Sequence, residues 1–309
     1  MVRTICTPLL LALSVLAVLA ACAGPVAEPA TTTDTGPGSA LASDSYQARL
    51  TLLDDQLAAA LAPIRQARDP DTVESAMTAA VSAISEAGDQ LGQGGPVPDA
   101  VRQANTVLAD GLSQLEIDLM SLRERVHRHE VCTGPAAMEE LNGAPSVVAL
   151  RAIAAGLALP GDDGRTYRWG SWLQVAPGRA PSPLVNGTVL TDRRSGHPGD
   201  GGLEIRNDGP DDAVVLLSKA GTVLVSIAVS AGQSARVAGI PEGDYDVAYT
   251  TGRAWDPRLS AFGRACAFRR FTTLTRVVTT TAATAHTVTV RSGPVDAGSI
   301  NVPPREFPR

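Results

Sequence analysis

Aromatic residues make up only 4% of this 309-residue chain, histidine and cysteine occur four times each, and lysine occurs once, at Lys219. So few aromatics exclude an extended platform for stacking bases or sugars. With no basic run and a formal net charge of −6, the chain also lacks the electrostatic footprint of a nucleic-acid binder. Gly-x-Ser-x-Gly, His-Glu-x-x-His, the Walker loop and the dinucleotide fingerprint are all missing, and with them the motif-borne routes to hydrolase, metalloprotease, nucleotide and dinucleotide chemistry. The apolar run Leu9 to Ala20 is too short to cross a bilayer comfortably, which takes about 20 apolar residues.

What that run does fit is a secretory leader. Arg3 supplies a short positive start, the apolar stretch follows, and Leu19-Ala20-Ala21-Cys22 closes it. This ending resembles the lipobox of bacterial lipoproteins. The resemblance implies a diacylglyceryl group on the Cys22 thiol and cleavage before it, so that Cys22 becomes the new N-terminus. A plain signal peptide, or an N-terminal anchor with Cys22 incidental, are the alternatives. Residues 22–43 are rich in Pro, Thr, Ala, Gly and Ser with almost no large apolar side chains, a composition that reads as a disordered linker.

Residues 44–131 carry helical apolar spacing throughout. Tyr46, Leu50, Leu53, Leu57, Leu61 and Ile64 form one stripe, and Val73, Met77, Val81, Ile84 and Leu91 a second. Pro70, with Asp69 as its N-cap, starts the second helix. From Pro98 to Glu130 a third stripe, Val101, Leu108, Leu112, Leu115, Leu119, Leu122 and Val126, alternates steps of three and four. Short connections favour antiparallel neighbours and hence a three-helix bundle. The heptad-like third stripe also suits a coiled-coil dimer seam. The segment holds 14 acidic and 7 basic residues, which reads as a solvated face.

Residues 132–166 read as a connecting segment with one short helix, Ser146–Leu157. From Tyr167 to Arg309 short β-branched runs alternate with turn residues. Strands are expected at Tyr167–Val175, Gly202–Arg206, Ala213–Ser218, Val223–Val229, Ser234–Ala238, Tyr245–Thr250, Ala267–Leu274 and Thr287–Arg291, folded as an antiparallel β-sandwich. The run Pro241-Glu242-Gly243-Asp244-Tyr245 resembles the Pro-x-Gly-x-Tyr hairpin of transthyretin-like and immunoglobulin-like bacterial surface modules. More widely, residues 186–271 resemble a domain of uncharacterised actinobacterial lipoproteins, through Gly202-Leu203-Glu204-Ile205, Asp212-Ala213-Val214-Val215-Leu216 and Thr251-Gly252-Arg253-Ala254-Trp255-Asp256. That resemblance brings structural motifs and no activity. The fold class expected is α+β in separate segments, a helical bundle followed by a sandwich.

Few residues offer chemistry. His127, His129, Glu130 and Cys132 contain metal-ligand types, but positions two apart on a helix do not share a face. Asp208-Gly209-Pro210-Asp211-Asp212 concentrates carboxylates without the alternating ligands of a calcium loop. Asn186-Gly187-Thr188 reads as an Asn-Gly turn. Arg269-Arg270-Phe271 and Trp255-Asp256 could contact a ligand, although strand alternation and edge packing account for them as well. A His-dependent nucleophile would have to recruit His197 or His286. Four cysteines reduce to one pair: Cys6 leaves with the leader and Cys22 is acylated, so Cys132 and Cys266 remain to form a disulfide in an oxidising compartment.

The sequence therefore points to a non-catalytic lipoprotein on the outer face of the cell membrane. It has a lipid-anchored N-terminus, no cofactor or metal, and a β-sandwich presented to a protein, peptide or cell-wall ligand. An extracytoplasmic enzyme with its site on sandwich loops, and a structural spacer, are the competing readings.

Overall fold

Helix α1 (Pro37–Gln66), α2 (Pro70–Gln93) and α3 (Arg102–His127) follow the three expected stripes. Every residue named in the first stripe is fully buried, as are Leu108, Leu112, Leu115, Leu119 and Val126 of the third. Asp69 caps α2 as anticipated: the Thr72 backbone N–H donates to Asp69 Oδ1 at 2.9 Å, and Pro70, having no N–H, needs no acceptor there. In α2, Ala80 and Ala87 are buried beside Val73, Met77, Ile84 and Leu91, while Val81 is only half-buried, so helical position outranks side-chain size.

The computed structural model describes residues 37–93, 95–161, 164–173, 183–194, 199–277, 286–291 and 298–308, with the backbone alone for 37–41 and 286. The leader, Cys22 and His197 lie outside the described residues. Helix α1 begins seven residues inside the stretch read as linker, where Ala40 and Ala42 favour helix. Two further helices, α4 (Gly134–Gly143) and α5 (Pro145–Leu157), occupy the connecting segment. Helix α2 lies against both α1 and α3, α4 against α1, and α5 against α3, so five helices share one apolar core. The α3 stripe is therefore spent within the chain rather than on a dimer seam.

The strand expected at Tyr167–Val175 does not form over its described part. Residues 171–173 make a 3₁₀ turn, and Tyr167, Trp169, Trp172 and Leu173 complete the helical core. The backbone of this strap finds its partners on helix side chains instead of on a sheet. Arg168 N–H donates to Gln47 Oε1 at 2.8 Å, Gly170 and Ser171 N–H donate to Asp54 Oδ1 at 2.7 and 3.0 Å, and Arg65 Nη2 donates to the Trp172 carbonyl at 3.1 Å. A backbone whose polar groups are satisfied in this way has no need of a strand neighbour.

The remaining chain is antiparallel-dominated β, giving an α+β fold. The strands are β1 (Val189–Asp192), β2 (Gly201–Asn207), β3 (Asp212–Lys219), β4 (Thr222–Val229), β5 (Ser234–Ile240), β6 (Gly243–Asp256), β7 (Ala261–Phe271), β8 (Thr275–Val277), β9 (His286–Val290) and β10 (Ser299–Asn301). One sheet runs β1-β4-β3-β6-β7-β10 with β8 on β6, and the other β5-β2-β9. Two corrections follow. Strand β9 pairs parallel to β2, Leu203 opposite His286, so the pairing is not antiparallel throughout. The expected strand Ala267–Leu274 is instead the end of β7, which pairs with β6 from Asp256–Ala261 onward, followed by the separate β8.

Val215, Leu217, Ile227, Val247 and Tyr249 of the larger sheet share one apolar cluster with Leu203, Ile205, Val288 and Val290 of the smaller. The other face, through Val214, Leu216 and Ala248, is buried with Trp255, Phe262, Cys132, Cys266 and Phe307. This double cover explains why β3 reads as a continuous apolar run rather than an alternating one.

The β3–β4 hairpin turns at Ala220 and Gly221, with φ of +49° and +78°. Two successive positive φ values mark a type I′ turn, which favours Asn-Gly. Ala220→Asn is expected to raise stability by about 0.5–1 kcal/mol; a thermal melt no higher than that of the wild type would contradict the turn geometry.

Candidate functional site

Of the residues singled out for chemistry, His129, Glu130, Cys132 and Cys266 meet where α3 runs into the larger sheet. Helix α3 ends with Glu130 N–H on the Arg125 carbonyl at 2.9 Å and His129 N–H on the Val126 carbonyl at 2.8 Å, and His129 is left-handed at φ +58°. This is the Schellman pattern with histidine in the place glycine prefers. The turned chain then pairs with β7: Cys132 N–H donates to the Gly263 carbonyl at 2.8 Å, Ala265 N–H to Glu130 at 3.1 Å and Cys266 N–H to His129 at 3.1 Å. Val131 bridges antiparallel to Arg264.

That pairing lays Cys132 beside Cys266. Their Cα atoms are 6.2 Å apart and their Sγ atoms 2.14 Å, disulfide distance, across 134 residues of sequence. Both are buried.

Beside the pair lies a charge cluster that the sequence did not single out. Glu140 of α4, with its side chain only 15% exposed, accepts from both Arg125 of α3 and Arg264 of β7. Arg125 Nε also reaches Glu130 Oε2 at 3.1 Å, and Arg128 Nε reaches Glu130 Oε1 at 2.9 Å. Hydrogen bonds from Arg125 and then Arg128 hold the Glu130 carboxyl below the usual carboxylate range. A buried carboxylate needs such pairing to remain charged, so Glu140 fixes α3, α4 and β7 to one another.

The metal reading of His127, His129, Glu130 and Cys132 comes apart on the same geometry. His127 Nδ1 faces Glu74 Oε2 at 3.4 Å. His129 lies edge-on to Phe268 at 6.2 Å, and burial pushes its imidazole below the ordinary value. Among the described residues no three His, Cys, Asp or Glu side chains converge on a metal position.

The acidic turn is likewise committed. Asn207, fully buried, donates through Nδ2 to the carbonyls of Asp211 and Val229 and accepts from Gly209 N–H. Asp208 pairs with Arg206, Asp211 with Arg253, and Asp212 Oδ1 accepts from Ala231 N–H. Asn186 Nδ2 donates to the Ser234 carbonyl at 2.9 Å while its Oδ1 accepts from Ser230 N–H at 3.1 Å, with Gly187 at φ +78°, as an Asn-Gly turn requires.

Trp255 packs edge-on to Phe262 at 5.0 Å, Asp256 caps the following turn through Arg258 N–H, and Arg269 is buried. Of His286 only the backbone is described, at the start of β9. Among the described helices none is long and apolar enough to cross a membrane. The chain matches no known family model, no curated protein and no solved structure.

Proposed function

We propose that the chain is a non-catalytic lipoprotein held on the outer face of the cell membrane by a diacylglyceryl group on Cys22. On this reading the helical half is a bundle that carries a β-sandwich to a protein, peptide or cell-wall component. The observation that carries it is the pair Cys132 and Cys266 at disulfide distance, in a chain whose leader ends in Leu19-Ala20-Ala21-Cys22. Such a bridge persists in an oxidising, extracytoplasmic compartment and not in a reducing cytosol.

Two features support the sandwich. The two sheets bury side chains in a common apolar cluster. The Tyr245 hydroxyl also donates to the Pro241 carbonyl four residues upstream at 2.7 Å, the arrangement of the tyrosine corner in immunoglobulin-type sandwiches. Two acyl chains on one residue hold a protein firmly where one binds marginally.

Cys22→Ala is expected to leave the leader uncleaved at this site, or to release the chain without lipid. Membrane fractionation and intact mass check it. A variant that stays with membranes at the mass of the wild type overturns the anchor.

A further inference from the structure

Helices α3 and α5 touch at Gly111, where an added Cβ would stand 2.7 Å from Leu150 Cδ2. Toward the start of α3 the space between them is a groove of about 400 Å³, within the roughly 300–1,000 Å³ of small-ligand sites. Ala104 and Val107 line it from α3, Ile153 and Leu157 from α5, with Leu159 and Pro160 beyond the end of α5. Leu159 is 66% exposed and Val107 45%, so two large apolar side chains of one groove stand in water. No described lining residue is acidic, although residues 44–131 hold 14 acidic and 7 basic side chains.

The third turn of α1 borders this groove. Asp44 pairs with Arg165 at 2.7 Å, and Tyr46 meets Tyr167 edge-on at 5.3 Å; Arg165 and Tyr167 both line the groove. Only the 14 residues 23–36 separate Cys22 from the start of α1, and fully extended they reach about 50 Å. Resting on the anchored reading above, a lipid on Cys22 keeps the groove no farther from a bilayer than that tether length plus about 15 Å of helix.

We propose that the α3–α5 groove is a membrane contact that takes an acyl chain of an outer-leaflet phospholipid. Exposed apolar surface leaves water there, and tethering raises the local concentration of lipid so that a weak contact is populated. Interfacial binding of this kind grows with the apolar area buried.

The test places an environment-sensitive NBD fluorophore on Leu159→Cys and, as reference, on Leu274→Cys in the β half, where Leu274 is 58% exposed. The full lipidated chain is reconstituted in vesicles of equimolar phosphatidylethanolamine and phosphatidylglycerol. The probe at 159 is expected to shift to the blue and to lose emission severalfold when the lipids carry an acyl-chain nitroxide, while the probe at 274 does neither. Val107→Glu is expected to abolish the quenching with an unchanged far-ultraviolet circular dichroism spectrum.

Water-like emission at 159 overturns the proposal. So does a blue shift without nitroxide quenching, which places the probe against protein. Intact mass of the same sample scores the anchor separately. Quenching at 159 in a chain without diacylglyceryl keeps the groove contact and removes the anchor; water-like emission in a lipidated chain does the reverse.

Discussion

Gly134→Ala is expected to destabilise the protein by about 3–5 kcal/mol, the severe end for a single methyl group. Gly134 opens α4 where it crosses the end of α1. A Cβ there would overlap the Ile64 carbonyl oxygen and stand 2.9 Å from its carbon and 3.1 Å from the Ala67 nitrogen. All three are backbone atoms, so no side chain can swing aside. The same approach lets Gly134 N–H donate to the Ala67 carbonyl at 2.8 Å, and separating the two helices would break that bond in a buried setting. Ala137 and Leu141 of α4 would move out of the core with it. Gly88→Ala is the matched control: it lies inside α2 with nothing near its added Cβ, and helix propensity predicts a gain of about 0.5–1 kcal/mol. For a domain of this size the first change corresponds to a drop of roughly 10 °C in melting temperature. Indistinguishable melts for the two variants would refute the close crossing of α1 and α4.

The helices were legible because their apolar residues repeat at a local period, and the α2 cap because Asp69 bonds Thr72 three residues on. The Asn186-Gly187 turn was legible because Gly187 supplies the positive φ, although the partners of Asn186, Ser230 and Ser234, lie 44 and 48 residues away. What the sequence hid was long-range. The strap at Tyr167–Leu173 alternates like a strand, and its true partners, Gln47 and Asp54, lie 116–121 residues upstream. Pairing of β9 beside β2 joins Leu203 to His286, and no local pattern encodes a parallel neighbour that far off. The charge cluster was hidden for the same reason, since Arg264 meets Glu140 across 124 residues. Glu139-Glu140 and Arg264 are ordinary surface letters until the fold brings them together. The cysteine pair was readable by contrast, because once Cys6 is assigned to the leader and Cys22 to the acyl anchor only one pairing is left.

Replacing both Cys132 and Cys266 by alanine is expected to cost up to about 4–5 kcal/mol, the chain-entropy value for closing a loop of this length. The two residues stand 134 apart at disulfide distance, and the loop they close contains α4, α5, the strap and β1 to β6. The loss should fall short of that figure because residual structure in the unfolded chain already restricts part of the loop. The pairing of residues 129–132 with 263–266 and the Arg125–Glu140–Arg264 cluster hold the same junction without help from the sulfurs. For that reason the bridge and the cluster should not act independently: Glu140→Gln is expected to cost more in the bridge-free protein than in the wild type, because groups sharing one junction couple. Melts with and without reductant decide the matter. Wild type in reductant should fall onto the curve of the double variant, and the double variant should ignore reductant. Two thiols labelled by maleimide under non-reducing denaturation, or equal melting of wild type and double variant, would remove the bridge from the account of how α3 is joined to β7.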